Sequence, residues 1–373
     1  MEYNTNLKYH YRPKKGWMND PNGLIYFNGC YHAFYQHAPN CEQPFNQPMV
    51  WGHATTKDFL TWQEHPVAIW DDMPYDSGGC WSGTATQKDG VLYLFYASVI
   101  ENKEGYGHFP QTVSVAYSTD GFNFKKYEGN PVIVDFPKEG SKDFRDPAVI
   151  KTKDKYYLVM ATGSPEDNAA RLLVYQSENL FDWKYNGVLH QWLGDENNTM
   201  LYAECPSIME YGDKYLVCSS FVKKPDICKF SIMYGDFDGN KFTPEISSEL
   251  QLGPDQYAGQ AFTDHLGRNI LISWIPGWKY AKEPKSIGCL SLPMELTVKD
   301  GKIFAYPVKE VAHLLKDSDE NVIITDDGFT IKRTLQPDIV HKGKIDDIKI
   351  LRDQYVIEVF VNGGEYVYAG VLN

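Results

Sequence analysis

The chain has 373 residues, 36 basic and 49 acidic side chains for a formal charge of −13, and is 43% hydrophobic and 14% aromatic. A negative chain without a basic run repels phosphate backbones and anionic lipid, which argues against nucleic acid and membrane surfaces as partners. The hydrophobic share suffices for packed cores and excludes a disordered chain. No stretch approaches about 18 consecutive apolar residues. The polar opening MEYNTNLKYHYRPKKG lacks the apolar core of a secretion signal, so the expected location is cytoplasmic. Seven scattered cysteines (Cys30, Cys41, Cys80, Cys205, Cys218, Cys228 and Cys289) form no CxxC pair and read as free thiols. The ten histidines show no ligand spacing, so neither a metal nor another cofactor is expected.

Long helical periodicity is almost absent. From the N-terminus, short runs of β-branched and aromatic residues recur between Gly, Asn, Asp and Pro clusters, as in an all-β protein. YHAFYQ (31–36), LYLFYA (92–97), YYLVMA (156–161), YLVCSS (215–220) and NILISW (269–274) begin 61, 64, 59 and 54 residues apart. A second series, ending at Trp62, Phe124, Trp183 and Phe242, steps by 62, 59 and 59 residues. A period of about 60 residues holding several strands predicts one propeller blade per repeat. Five such repeats fill residues 1–306, with YHAFYQ as the first inner strand. A large β-sandwich with coincidental spacing is the blander alternative. After Pro307 the register is lost: NVIITD, FTIKRTL and DIKILR precede QYVIEVFVNGGEYVYAG, a hairpin around Asn362-Gly363-Gly364. Residues 307–373 read as a shortened β-sandwich-like unit that buries little apolar surface alone and packs against the propeller or another subunit.

Four motifs sit ahead of the apolar runs: WMNDPNG (17–23), CWSG (80–83), FRDPAV (144–149) and AECPSI (203–208). Asp20, Ser82, Asp146 and Glu204 lie 62, 64 and 58 residues apart, which predicts equivalent points around one axis. Singly, each motif has a plain reading: Asn-Asp-Pro-Asn-Gly is a strong turn sequence, and Arg145-Asp146 forms a surface ion pair as readily as a site. Together they bring three like charges toward one funnel, an arrangement that repels itself unless it has a use. Converging carboxylates without metal ligands fit retaining glycoside hydrolysis, with one nucleophile and one general acid/base. Glu204, beside Ala203, Cys205 and Pro206, has the more apolar setting expected of the acid. Asp20, in a donor-rich turn, is expected to stay ionised as the nucleophile. Asp146 would then bind sugar hydroxyls, kept ionised by Arg145. Trp17, Trp51, Trp81, Trp274 and Trp278 offer aromatic faces to a sugar, although half of them can be core. Gln36 and His53 are candidates for hydroxyl contacts.

These motifs resemble those of glycoside hydrolase family 32, the β-fructosidases. WMNDPNG, FYQH (34–37), WGHAT (51–55), WSG (81–83), FRDP (144–147), EC (204–205), LSLPMEL (290–296) and YVIEVFVNGGE (355–365) occur in the family's order. The resemblance implies a five-bladed propeller followed by a β-sandwich, and retaining cleavage of terminal β-fructofuranosyl bonds without a metal. Residue by residue, Asp20 resembles the nucleophile, Asp146 the transition-state stabiliser and Glu204 the acid/base. Asn19, Gln36, Trp51, Trp81, Ser82, Arg145 and one of Trp274 and Trp278 match positions lining the fructose pocket.

Three departures stand out. The C-terminal unit is about half the family's usual sandwich, and the exposed sheet edge predicts a second copy of the chain as cover. Gln251 and Gln256 replace Asp and Phe in QLGPDQYAGQ (251–260), and Met294 replaces the usual Arg in LSLPMEL. The expected substrate is sucrose, its 6-phosphate or a short fructan; Lys279, Lys282 and Lys285 are cationic candidates for a phosphate. Attack by a sugar instead of water would make the protein a fructosyltransferase, and loss of catalysis would leave a fructan-binding sensor.

Overall fold

The computed structural model describes residues 7–41, 47–101, 111–153, 155–225, 228–250, 255–275, 288–334 and 336–372. Strands dominate, in a five-bladed β-propeller followed by two smaller sheets. Blades 1 to 4 are four-stranded antiparallel sheets in simple sequence order, and the fifth sheet adds the short strand Cys289–Leu290. The innermost strands are Trp17–Phe27, Gly79–Lys88, Phe144–Thr152, Thr199–Tyr211 and Tyr257–Thr263. Each touches the next, and the fifth touches the first, so the ring closes on itself.

The apolar runs that set the period are the second strands, not the first: Cys30–Ala38, Val91–Val99, Lys155–Ser164, Lys214–Lys224 and Asn269–Ile275. WMNDPNG, CWSG, FRDPAV and AECPSI lie inside the innermost strands. Their Pro and Gly content disguises them as turns, because a strand next to the central channel tolerates a missing ladder hydrogen bond at a bulge.

The second series of aromatics has a local cause. In blades 1 to 4 the third strand ends at an Asx turn, in which one side-chain oxygen accepts two backbone N–H groups two and three residues ahead. Asp58 takes Leu60 and Thr61, Asp120 takes Phe122 and Asn123, Asn179 takes Phe181 and Asp182, and Asp238 takes Asn240 and Lys241. The aromatic that follows opens the outer strand of its blade or lies just before it. The periodic signal therefore records a repeated turn as well as repeated packing.

The faces between neighbouring blades carry the core. Phe34, Trp51, Leu94 and Tyr96 pack between blades 1 and 2, and Val159, Leu172, Val217 and Phe221 between blades 3 and 4. His53 belongs to this packing: it is buried, stacks on Phe34 with ring centroids 4.4 Å apart, and meets His32 Nδ1 at 3.0 Å. Burial and its histidine neighbours keep it neutral.

After Pro307, a short helix at Lys309–Ala312 leads to two three-stranded sheets. The first holds Val322–Thr325, Gly328–Ile331 and Ile339–Lys342; the second holds Ile348–Asp353, Val356–Val361 and Tyr366–Val371. Phe329, Ile331 and Ile339 face Ile350, Ile357, Val359 and Tyr368, a small sandwich. The Asn362-Gly363-Gly364 turn is present, with φ of 52°, 68° and 91°. Neither the helix nor the strand Ile339–Lys342, each of four residues, is among the elements expected from the sequence.

This unit is tied to the propeller by buried charge. His10, in the N-terminal segment, lies between two carboxylates: Nδ1 is 3.0 Å from Asp353 Oδ2 and Nε2 is 2.9 Å from Glu358 Oε2. Asp353 also accepts the backbone N–H groups of Lys8, Tyr9 and His10. Burial opposes a charge on His10, but the hydrogen bonds and charges of Asp353 and Glu358 win and hold it up at about 9. Burial likewise opposes the charge on Asp353, and its partners bring it down to about 2. A histidine whose folded value exceeds its unfolded one adds stability below about 6.5 that is lost as pH rises through about 9, on the order of 3 kcal/mol here. Thermal melts should therefore show His10→Gln several degrees below wild type at pH 6, with the gap closing by pH 9.5. A gap independent of pH would contradict a charged His10.

Candidate active site

The five innermost strands share one irregularity. In each, two consecutive residues face a single residue of the second strand, a β-bulge that turns side chains toward the axis. Asn19-Asp20 face Gln36, Trp81-Ser82 face Ala97, Asp146-Pro147 face Met160, Cys205-Pro206 face Ser219, and Ala258-Gly259 face Ser273. The first bulge residue in blades 3 to 5 has positive φ: Asp146 57°, Cys205 47° and Ala258 53°. No Cβ favours that region, so the surrounding ladder must enforce it.

The bulges revise the expected register. Asp20 and Ser82 are second bulge residues, Asp146 is a first, and Glu204 immediately precedes its bulge. The four residues thus hold three successive register positions in their strands instead of one equivalent position. Met18, Cys80, Arg145, Glu204 and Tyr257 are equivalent in register, each immediately preceding its bulge.

The network is dense. Asp20 Oδ2 accepts from Ser82 Oγ at 2.7 Å, and Oδ1 accepts from Asn19 Nδ2 at 3.1 Å. Asn19 is fixed in turn by Trp17 Nε1 at 2.8 Å. Asp146 Oδ2 accepts from the backbone N–H of Cys205 at 2.9 Å. The Cys205 thiol, 3.5 Å from Asp20 and 3.6 Å from Asp146, stands between the two aspartates. Glu204 is gripped on both oxygens, with Arg145 Nε 3.2 Å from Oε1 and the Tyr257 hydroxyl donating to Oε2. Arg145 Nη1 also meets Asp143 at 3.0 Å and Gln111 at 3.4 Å, and its guanidinium lies 4.5 Å from the Tyr202 ring centroid.

Burial and the charge of Glu204 raise Asp20 to about 6, against the pull of Ser82, Asn19 and Cys205. Burial, together with Glu204 and Asp20, raises Asp146 to about 7 although Arg145 opposes it. Burial and Glu204 push the Tyr257 hydroxyl well up, so it keeps the proton it donates. Sequence reasoning placed Glu204 in an apolar setting and left Asp20 freely ionised. Instead Glu204 is ion-paired, and Asp20, partly exposed, is one of the two carboxylates whose surroundings favour the proton. Arg145, expected to keep Asp146 ionised, pulls in that direction without prevailing, and its hydrogen bonds go to Glu204 and Asp143. The two aspartates hold their protons more tightly than free carboxylates do.

The expected binding residues divide into those at the cluster and those behind it. Asn19, Ser82, Arg145 and the partly exposed Trp81 are at it. Trp51 and Trp274 have no exposed surface: Trp51 Nε1 donates to the Trp81 carbonyl at 2.9 Å, and Trp274 packs edge-on to Trp17 at 5.8 Å. Both brace the pocket from behind. Gln36 Nε2 donates to the Cys80 carbonyl at 3.0 Å and Gln260 Nε2 to the Gly83 carbonyl at 3.0 Å, so two amides clamp the ends of the blade 2 bulge. Trp278, Gln251, Lys279, Lys282 and Lys285 lie outside the described residues. Tyr257, Cys205 and Gln260 were missed. Tyr257 follows Glu204 by 53 residues, close to the last step of the apolar runs, and that interval was the available signal.

Residues 10–307 match the family model for the glycosyl hydrolases family 32 N-terminal domain. The chain is 34% identical over 353 residues to a sucrose-6-phosphate hydrolase of Zymomonas mobilis, covering 88% of this chain and 67% of that protein. It is 36% identical over 320 residues to a raffinose invertase of Escherichia coli, covering 82% and 65%. The chain therefore spans about two thirds of the length of these relatives. The solved structure of the Bombyx mori GH32 β-fructofuranosidase superposes with a TM-score of 0.84 over 99% of this chain and 89% of that one, at 26% identity. The family model covers four fifths of the chain, up to the end of the propeller, and the chain belongs to glycosyl hydrolase family 32.

Proposed function

We propose that the protein is a retaining β-fructofuranosidase that removes terminal fructose from sucrose, sucrose 6-phosphate or short fructans, with residues 1–306 as the catalytic unit and 307–373 as its support. The observation that carries this reading is the convergence of Asp20, Asp146 and Glu204 from three blades, with the Cys205 thiol between the two aspartates and Glu204 immediately before it in the chain. Asp20, oriented by Ser82 and Asn19, attacks the anomeric carbon. Glu204, held by Arg145 and Tyr257, gives its proton to the departing oxygen and later takes one from the attacking water. Asp146 accepts hydrogen bonds from fructose hydroxyls, which strengthen as positive charge develops on the ring. Asn19, Trp81, Ser82 and Arg145 shape the fructose subsite, and the buried Gln36, Trp51 and Trp274 support it from behind.

The two raised aspartates also set a sign for stability. A carboxylate that binds its proton more tightly when folded destabilises the protein increasingly as pH rises from about 4 to 7. Asp20→Ala and Glu204→Ala should each lower the turnover of every donor in a panel of sucrose, sucrose 6-phosphate, an inulin-type and a levan-type oligosaccharide by about 10⁴-fold or more. Asp20→Ala should also melt at or above the wild-type temperature, with the larger gain at pH 8. Near-wild-type rates in either variant would remove that residue from the mechanism.

The outer face of the first C-terminal sheet carries Ile323 and Val340, 49% and 53% exposed and aligned across Thr330. We propose that a second copy of the chain covers it. Light scattering should give a dimer or larger, and Ile323→Lys with Val340→Lys a smaller species; a wild-type monomer at micromolar concentration would refute the contact.

A further inference from the structure

Tyr257 is the last of three consecutive residues, each tied outside its own blade. Asp255 is buried, and its Oδ2 accepts from Arg333 Nη1 at 2.6 Å and from the Val371 backbone N–H at 2.8 Å. The Arg333 side chain is 1% exposed. Gln256 Nε2 lies 3.5 Å from Glu358 Oε1, whose other oxygen accepts the Leu292 N–H at 3.0 Å and meets His10. Arg333, Glu358 and Val371 all follow Pro307 in sequence. Tyr257 opens the innermost strand of blade 5, and its ring is enclosed by Trp17, Cys205 and Trp274. A buried carboxylate with two donors resists displacement, because sliding would strand the charge. Two residues of chain, at most about 7 Å, separate that anchor from the tyrosine.

Resting on the reading of Glu204 as the acid/base, we propose that the Arg333–Asp255 pair is a positioning element for catalysis: the C-terminal unit fixes the start of blade 5 so that Tyr257 keeps its hydroxyl on Glu204. Asp20, Asp146, Arg145 and Cys228 also face Glu204, from blades 1, 3 and 4. Among the described residues, Tyr257 is the contact from blade 5. Arg333 touches no reacting atom and acts through Asp255 and Tyr257.

Arg333→Met in the full chain tests this with the best donor of the panel. The expected result is a fall in kcat of about tenfold or more with KM changed by less than about threefold. The limb of the pH–rate profile governed by the proton donor should move to higher pH, as losing a hydrogen bond to a carboxylate requires. Arg333→Lys, which keeps the charge and a donor, should recover most of the rate, and Arg333→Met should add little to the loss caused by Tyr257→Phe. If Arg333→Met does not fold, Asp255→Asn with Arg333→Met removes both charges and gives the same readouts. A folded variant with wild-type kcat and pH profile, or losses that add fully to Tyr257→Phe, would overturn the proposal. Should the wild-type protein cleave no β-fructoside, the functional reading fails separately. The crystal structure of the Arg333→Met protein then decides: Tyr257 out of hydrogen-bond reach of Glu204 supports the positioning, and an intact contact overturns it.

Discussion

Closing five sheets into a ring drives their innermost strands onto one axis, and a regular strand there would aim alternate side chains along the channel wall. The bulge changes this. Two residues opposite one break the alternation, bend the strand and aim adjacent side chains into the same small volume, so a blade can present a carboxylate beside a group that holds it or holds a carboxylate of the neighbouring blade. Asn19 beside Asp20, Arg145 beside Asp146 and Glu204 beside Cys205 are all products of that geometry. The positive φ at Asp146, Cys205 and Ala258 is the local strain that the enclosing ladder sustains.

The same closure makes like charges neighbours. Asp20 and Asp146 meet across one thiol, and Glu204 raises both. Fixed donors make the cluster tolerable: the Ser82 hydroxyl, the Asn19 amide, the Cys205 backbone N–H, the Arg145 guanidinium and the Tyr257 hydroxyl. Every one sits in or beside a bulge of the inner ring. A site assembled this way needs no mobile loop to collect its chemistry, although its precision depends on the ring remaining closed at blade 5. There the chain leans on the C-terminal unit through Asp255 and Gln256, and that unit is held in turn by His10 of the N-terminal segment.

Much of this was legible in the sequence, because repeated structure writes a repeated signal. The blade number followed from the apolar runs, and the three carboxylates followed from their spacing. Strand order within the blade was read one place off. Pro21, Pro147 and Pro206 look like turn residues, and only the bulge makes them compatible with a central strand. The electrostatics were less legible. Glu204 has apolar sequence neighbours, yet in space it meets Arg145 from the previous blade and Tyr257 from the next. Trp51 and Trp274 read as sugar contacts because aromatic residues near polar motifs serve as either wall or core, and only the packing of Tyr96 and Trp17 against them decides.

The central claim is that Asp20 forms a covalent bond to the sugar, and trapping that bond tests it most directly. The Glu204→Gln protein would be given a fructosyl donor with an activated leaving group, quenched in acid, digested and mapped by mass spectrometry. The account predicts one added anhydrofructose on the peptide bearing Asp20 and none on an Asp20→Asn control. Donor cleavage without an adduct, or an adduct on the peptide bearing Asp146, would contradict it.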